Sequence, residues 1–328
     1  MPDCITTEGL TRHFGKFCAV DDVSMHVREG EIYGFLGLNG AGKTTTIRML
    51  LGMIKPSSGQ SYLFGQKVKP QARELWNRVG YLVEIPYSYP DLTVKENLEI
   101  VRRLRSISDP GCVDSIIEKF RLGDYRDRKA RNLSLGNTQR LGLAKAMIHN
   151  PSLLILDEPA NSLDPEGIVE IRELLRELAA EKGVTIFISS HILGEISKFA
   201  DRIGIIHRGR LITEMDTGNL DNQLLRKLTV GTRDNQRASS VLMNNGYAVS
   251  TDGGGVMSLE ERKAIETPEN IASLLVNAGC PPVMLKVEEE DLESYFLRVI
   301  GQIENSDEHS TKSWNMDYTD NAGISTDS

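Results

Sequence analysis

The residues with the plainest chemical purpose are Gly37, Leu38, Asn39, Gly40, Ala41, Gly42, Lys43, Thr44 and Thr45, which spell GLNGAGKTT. Glycines at 37, 40 and 42 let the backbone curl with no Cβ in the way, so successive N–H groups can converge on phosphate oxygens. Lys43 then reaches the β- and γ-phosphates, and the Thr44 hydroxyl suits Mg²⁺. An apolar run (32–36) precedes the loop and an amphipathic segment (44–51) follows it. A strand therefore delivers the loop, and a helix leaves it with its positive dipole end toward the same anion.

Two carboxylates suit the same site. SLLILDEP (152–159) is an apolar run too short for a helix, so it reads as a strand buried on both faces of a parallel sheet. Ligands collect at the carboxyl ends of such strands, where Asp157 and Glu158 fall. Asp157 suits the Mg²⁺ carboxylate, and Glu158 suits the base that polarises an attacking water. A second buried run (184–189) ends on Ser190 and His191; that histidine either touches a γ-phosphate or its water, or is inert. In LSLGNTQ (133–139), Ser134 either caps a helix running through Arg140 to about His149, as serines commonly do, or grips an anion together with the Gly136 N–H. Phe14, in the loop HFGK, either stacks on a nucleotide base or packs beneath the sheet.

The elements that must hold these groups follow from periodicity. Residues 3–35 read as a small sheet of three strands, Cys4 to Thr7, Ala19 to Val27 and Glu31 to Phe35. PSSG (56–59) is a turn, SYLFG (61–65) a strand, and RVGYLVE (78–84) a strand ending on Glu84. The loop 85–90 carries two prolines and two tyrosines, and Thr93 with Glu96 in capping-box spacing starts a helix near Val94. A mostly helical, charged insert runs to about Tyr125, broken at SDPG (108–111), and has no catalytic residues of its own. ANSLDP (160–165) is a turn bearing Asp164. A helix from Glu166 to Ala180 follows, with its apolar stripe at Ile168, Ile171, Leu174, Leu175 and Leu178. A hairpin about HRGR spans Arg202 to Glu214.

With 38 basic and 46 acidic residues the formal charge is -8, which argues against broad attraction to nucleic acid or anionic lipid. Cys4, Cys18, Cys112 and Cys280 show neither metal-ligand spacing nor disulfide density, as expected in a reducing cytosol. No apolar window long enough to span a bilayer exists, and MPDCITTEGL lacks the features of a secretory leader.

In this order, phosphate loop, Glu84 loop, helical insert, LSLGN, LLILDEP, SLD and SSH resemble the ATP-binding subunit of ABC transporters over about residues 3–217. The resemblance implies an α/β P-loop NTPase fold with a small N-terminal antiparallel sheet and a helical insert at about 87–135. It implies ATP and Mg²⁺ as ligands. Phe14 is the implied adenine-stacking aromatic, Lys43 and Thr44 the phosphate and Mg²⁺ contacts, and Glu84 the Mg²⁺-sensing loop residue that also meets the membrane partner. Ser134 to Asn137 match the signature, Glu158 the catalytic base, Asp164 a dimer-contact aspartate and His191 the switch histidine.

Glu84 stands where the family usually has Gln, and LSLGN where it has LSGGQ. Both departures, with YGFLGLNGAGKTTTIRMLLG, SLGNTQRLGLA and TIFISSHILGEI, resemble a narrower group, the ATPases of bacitracin-resistance and lantibiotic-immunity exporters. That group implies export of a peptide antibiotic or amphiphile through a separate transmembrane permease. It also implies a head-to-tail dimer with a second ATPase subunit, a cytoplasmic location on the inner face of the membrane, and no nucleic-acid partner. A soluble ABC ATPase acting on ribosomes or nucleic acid fits an unbroken, acidic cassette poorly, and an idle regulatory partner fits Lys43, Asp157, Glu158 and His191 poorly.

Residues 226–300 carry a weak repeat of strand, helix and strand, with helices ending at NNGY and NAGC. This reads as a ferredoxin-like βαββαβ accessory domain closed by a helix from Glu290 to Ile300. From 302 to 328, six acids against one lysine lead to the expectation of a disordered tail.

Overall fold

The computed structural model describes residues 2–84, 87–161, 163–251 and 255–301. The tail at 302–328 and part of the loop at 85–90 lie outside them. The chain divides into two compact units between Asn219 and Leu220.

In the first unit a four-stranded antiparallel sheet is built from β1 (Asp3–Phe14), β2 (Phe17–Arg28), β4 (Ser58–Leu63) and β5 (Gln66–Lys67), in the order β2-β1-β4-β5. Alternate residues of β2 are buried (Val23, Met25, Val27), as one covered face requires. A six-stranded sheet forms the centre, from β3 (Ile32–Leu36), β6 (Val79–Leu82), β7 (Leu153–Asp157), β8 (Thr185–Ser190), β9 (Arg202–His207) and β10 (Arg210–Asp216). Its order is β10-β9-β3-β8-β7-β6. All five residues of β3 and of β7 are buried, which a parallel sheet covered by helices on both faces demands.

Three expectations are corrected here. The third expected strand of the small sheet, Glu31 to Phe35, is the core of the central sheet instead, pairing in parallel with β8 and β9. Its uninterrupted apolar run, unlike the alternation in β2, is the physical reason. The PSSG turn is shorter than read, since β4 begins at Ser58. The signature segment does not precede its helix but opens it.

The helices of this unit position the site. The phosphate-loop helix is α1 (Lys43–Leu50), and α2 (Arg73–Asn77) leads to β6. In the insert, α3 (Val94–Leu104) starts on a capping box in which Thr93 and Glu96 satisfy each other's backbone N–H, and α4 (Gly111–Lys119) follows. Helix α5 (Leu135–Met147) lies so close to β6 that a Cβ on Gly80 would sit 2.2 Å from the Ala146 carbonyl. Helix α6 (Pro165–Lys182) links β7 to β8, and the short α7 (Leu193–Ile196) follows β8.

His149, just beyond α5, ties this helix to the sheet by donating from Nε2 to the Val79 carbonyl at 3.0 Å. Its Nδ1 is buried without a partner, and burial, with the Arg105 charge adding to it, lowers the imidazole to about 4. The unfolded chain therefore takes up this proton before the folded one. His149 stabilises the fold fully above its unfolded value, near 6.5, and the contribution is lost as pH falls toward 4. A His149→Asn variant is expected to lose roughly 1 kcal/mol per pH unit less over that window, read as thermal midpoint against pH.

The second unit has a four-stranded antiparallel sheet, β12 (Ser250–Thr251), β13 (Met257–Leu259), β11 (Arg226–Thr232) and β14 (Pro282–Glu289), in that spatial order. With α8 (Asn235–Asn244) between β11 and β12, and α9 (Arg262–Glu266) and α10 (Pro268–Asn277) between β13 and β14, this is the ferredoxin-like βαββαβ arrangement expected from the repeat. Leu228, Val230, Leu242, Leu259, Ile271 and Leu275 form its core. A last helix spans 292–301.

Candidate active site

The phosphate loop is shaped from three sides. A Cβ on Gly37 would lie 2.5 Å from the Ile206 carbonyl, and one on Gly42, whose φ is +108°, 2.6 Å from the Ala19 carbonyl. Gly40 also has positive φ (+80°), open only to glycine without strain. The tip of the β9–β10 hairpin braces the loop, with Gly209 N–H donating to Ala41 O and Gly209 O accepting from Asp21 N–H, both at 2.9 Å. Leu38, Asn39 and Gly40 are exposed, whereas Lys43 is only 5% exposed.

Lys43 Nζ donates to the carbonyls of Gly37 (2.6 Å) and Leu38 (3.2 Å) and pairs with Glu158 Oε1 at 3.1 Å. Glu158 Oε2 accepts from His191 Nδ1 at 2.6 Å. Glu158 sits at φ +47°, a left-handed conformation that costs a non-glycine residue about 1 kcal/mol or more. Its N–H is held by Ser189 Oγ at 3.0 Å, and that hydroxyl donates to Asp157 Oδ1 at 2.6 Å. The other Asp157 oxygen accepts from Thr44 Oγ1 at 2.7 Å. Lys43, Thr44, Asp157, Glu158 and His191, drawn from three separate stretches of chain, thus form one connected network. Ser189, which sequence reasoning did not single out, joins its two carboxylates; a hydroxyl inside an otherwise apolar strand was the available signal.

Among the described residues no group of three or more His, Cys, Asp or Glu side chains encloses a metal site. Thr44 Oγ1 and an Asp157 oxygen nonetheless form a hard-oxygen pair beside the loop, which fits Mg²⁺: that ion takes one or two protein oxygens and completes its shell with water and substrate phosphate.

The remaining expected residues stand elsewhere. Phe14 is the last residue of β1, not a loop residue; it is 46% exposed, with the Arg12 guanidinium 4.5 Å from its ring centroid, and so does not pack beneath the sheet. Thr45 is half-buried in the first turn of α1. Glu84 (φ +61°) is exposed and ion-paired with Arg48. Ser134 caps α5 by accepting from Asn137 N–H at 3.3 Å, and Asp164 caps α6 by accepting from Gly167 N–H at 2.9 Å. A Cβ on Gly136 would lie 3.9 Å from Leu163 Cδ2, which places the start of α5 beside the turn preceding α6.

The ABC transporter family model matches residues 20–161. The chain is 41% identical over 306 residues to the bacitracin transport ATP-binding protein BcrA of Bacillus licheniformis, covering 92% of this chain and 98% of that one. The chain belongs to the ABC transporter family. It is one of that family's ATP-binding proteins, and it is also 36% identical to the lantibiotic transport ATP-binding protein SrtF of Streptococcus pyogenes, over 66% of this chain and 92% of that one. Among solved structures, CbiO1 of Clostridium perfringens, part of the ABC transporter complex CbiONQ, matches with a TM-score of 0.61 and 25% identity, covering 67% of this chain and 91% of that one.

Proposed function

We propose that this chain is the ATP-hydrolysing subunit of an exporter that expels a peptide antibiotic, bacitracin- or lantibiotic-like, or a related amphiphile through a separate membrane protein. The observation that carries the chemistry is the Lys43–Glu158–His191 chain of contacts at the carboxyl ends of β7 and β8. The substrate class is supported by the names of the bacitracin and lantibiotic relatives. Among the described residues no helix is long and apolar enough to cross a membrane, so the transport path falls to another protein.

In this reading adenine stacks on Phe14, and the backbone of Gly37 to Thr45 cradles the phosphates. Lys43 exchanges its bond to Glu158 for phosphate oxygens, which frees Glu158 to take a proton from the attacking water. His191, donating through Nδ1 to Glu158, holds that carboxylate, and its Nε2 would donate to the γ-phosphate only in the imidazolium form. Thr44 and Asp157 would hold Mg²⁺, with Glu84 as the residue that senses it, and the ion would supply charge neutralisation on the transferred phosphate. Ser134 and Gly136 serve the nucleotide of a second copy, with Asp164 in the same interface. That placement is supported by the exposure of Ser134 and Asp164, and by the large apolar side chains of Leu38 (42%) and Leu135 (48%), which a single copy leaves uncovered. Closure of two head-to-tail copies on ATP, and release after hydrolysis, moves the membrane partner from a location on the inner face of the membrane.

The surface offered to that partner is the loop from Glu84 to Leu92. Tyr87 and Tyr89 are exposed (74% and 45%) and meet edge to face at 5.6 Å, and Lys145 Nζ holds the loop by donating to the Ser88 hydroxyl at 2.9 Å. Affinity capture from detergent-solubilised membranes with ATP present is expected to recover one polytopic membrane protein, and the Tyr87→Ala/Tyr89→Ala variant to recover several-fold less. Recovery of ribosomes or nucleic acid alone, or equal capture by the variant, would overturn the transport reading or the docking surface respectively.

A further inference from the structure

Phe14 ends β1 46% exposed, so the core does not fix its ring. A ring free to change rotamer must be ordered by whatever stacks on it, and that cost is subtracted from the affinity. One face of this ring is already taken: the Arg12 guanidinium lies over it, with Cζ 4.5 Å from the centroid.

Arg12 is itself tied down. Its Nη1 donates to the Lys55 carbonyl at 2.8 Å. The backbone on either side of it is pinned to the same segment, since the Ser57 N–H donates to the Thr11 carbonyl at 2.8 Å and the His13 N–H to Ser57 Oγ at 3.0 Å. Residues 55–57 lie between the phosphate-loop helix α1 and β4. The guanidinium is thus anchored to the chain that leaves the phosphate-loop helix, while the ring it touches stands at the end of an exposed hairpin. Among the described residues Arg12 has no carboxylate partner, so its charge is directed at one carbonyl and one aromatic face. A cation held against one face draws the ring's negative charge toward itself and leaves the opposite face less negative, a better surface for an electron-rich purine.

We propose that Arg12 is the positioning residue for the base end of the nucleotide site. It holds one face of Phe14 and presents the other, already ordered, to adenine; it acts through the ring and does not touch the nucleotide. This rests on the reading that adenine stacks on Phe14.

The test compares ATP with inorganic tripolyphosphate, which offers phosphates and no base, by equilibrium titration of the full chain with Mg²⁺ present. Phe14→Leu is expected to weaken ATP about tenfold or more, the worth of one base stacked on an aromatic ring, and to leave tripolyphosphate unchanged. Arg12→Met is expected to weaken ATP about three- to tenfold, the cost of ordering one side chain on binding, again without effect on tripolyphosphate. In the double variant Arg12→Met is expected to add nothing to Phe14→Leu, because the group it acts through is gone. Arg12→Gln, which keeps a donor for the Lys55 carbonyl and removes the charge, serves if the methionine variant does not fold. A selective loss in Phe14→Leu with none in the Arg12 variants, equal losses for ATP and tripolyphosphate in the Arg12 variants, or additive losses in the double variant would overturn the role of Arg12 alone. No selective loss in Phe14→Leu would overturn the stacking reading and the role of Arg12 with it.

Discussion

Glu158→Gln is expected to bind ATP as well as the unaltered chain does and to hydrolyse it about 10²- to 10⁴-fold more slowly, the range spanned by general-base catalysis. The amide keeps the volume and can still accept from His191, so the network around it should persist. What it loses is the capacity to take a proton. Lys43 gives up an ionic partner at 3.1 Å but keeps the carbonyls of Gly37 and Leu38, and its hold on phosphate is untouched or improved. Steady-state phosphate release, measured beside the affinity for a fluorescent ATP analogue, separates the two effects. A fall in affinity with turnover per bound nucleotide unchanged would assign Glu158 to binding and leave the base unidentified.

Lys43→Met is expected to weaken ATP binding by roughly 10²-fold, the sum of about two charge-assisted hydrogen bonds at 1.5–3 kcal/mol each, offset by the loss of competing Glu158 contacts. Lys43 is nearly fully buried and surrounded by acceptors alone, two carbonyls and a carboxylate. That cluster of oxygens holds a cation in the place where a nucleotide brings more oxygens. Methionine fills the same channel without charge, so the fold is retained and the measured change belongs to the ligand. Unaltered affinity by equilibrium titration would remove Lys43 from phosphate binding.

Much of this was readable from residue order because the site uses backbone geometry that few sequences satisfy. Glycines at 37, 40 and 42, a buried strand ending in Asp157 and Glu158, and another ending near His191 leave little freedom in where the network forms. Long-range placement was less legible. Alternation identified β2 as half-covered, and the apolar run of Ile32–Leu36 was a local signal for burial on both faces, but its neighbours in the central sheet, β8 and β9, lie far along the chain and decide its place. Ser189 and Gly209 were missed for a related reason. The first joins two carboxylates across a strand end, the second braces the loop through the hairpin tip, and both roles depend on residues more than 30 positions away in the sequence. Ser134 reads as an ordinary helix cap and is one within one copy, and Asp164, read only as a turn residue, caps α6 in the same way. Any further purpose belongs to an assembly of two chains.

Sedimentation of the Glu158→Gln chain with and without ATP tests that purpose most directly. A chain that hydrolyses ATP between its own Lys43 and the Ser134 of a second copy will sediment as a dimer with two trapped nucleotides when ATP is present, and as a monomer when ATP is absent or when Ser134 is replaced by arginine. A chain that stays monomeric with ATP fully bound would contradict the shared site.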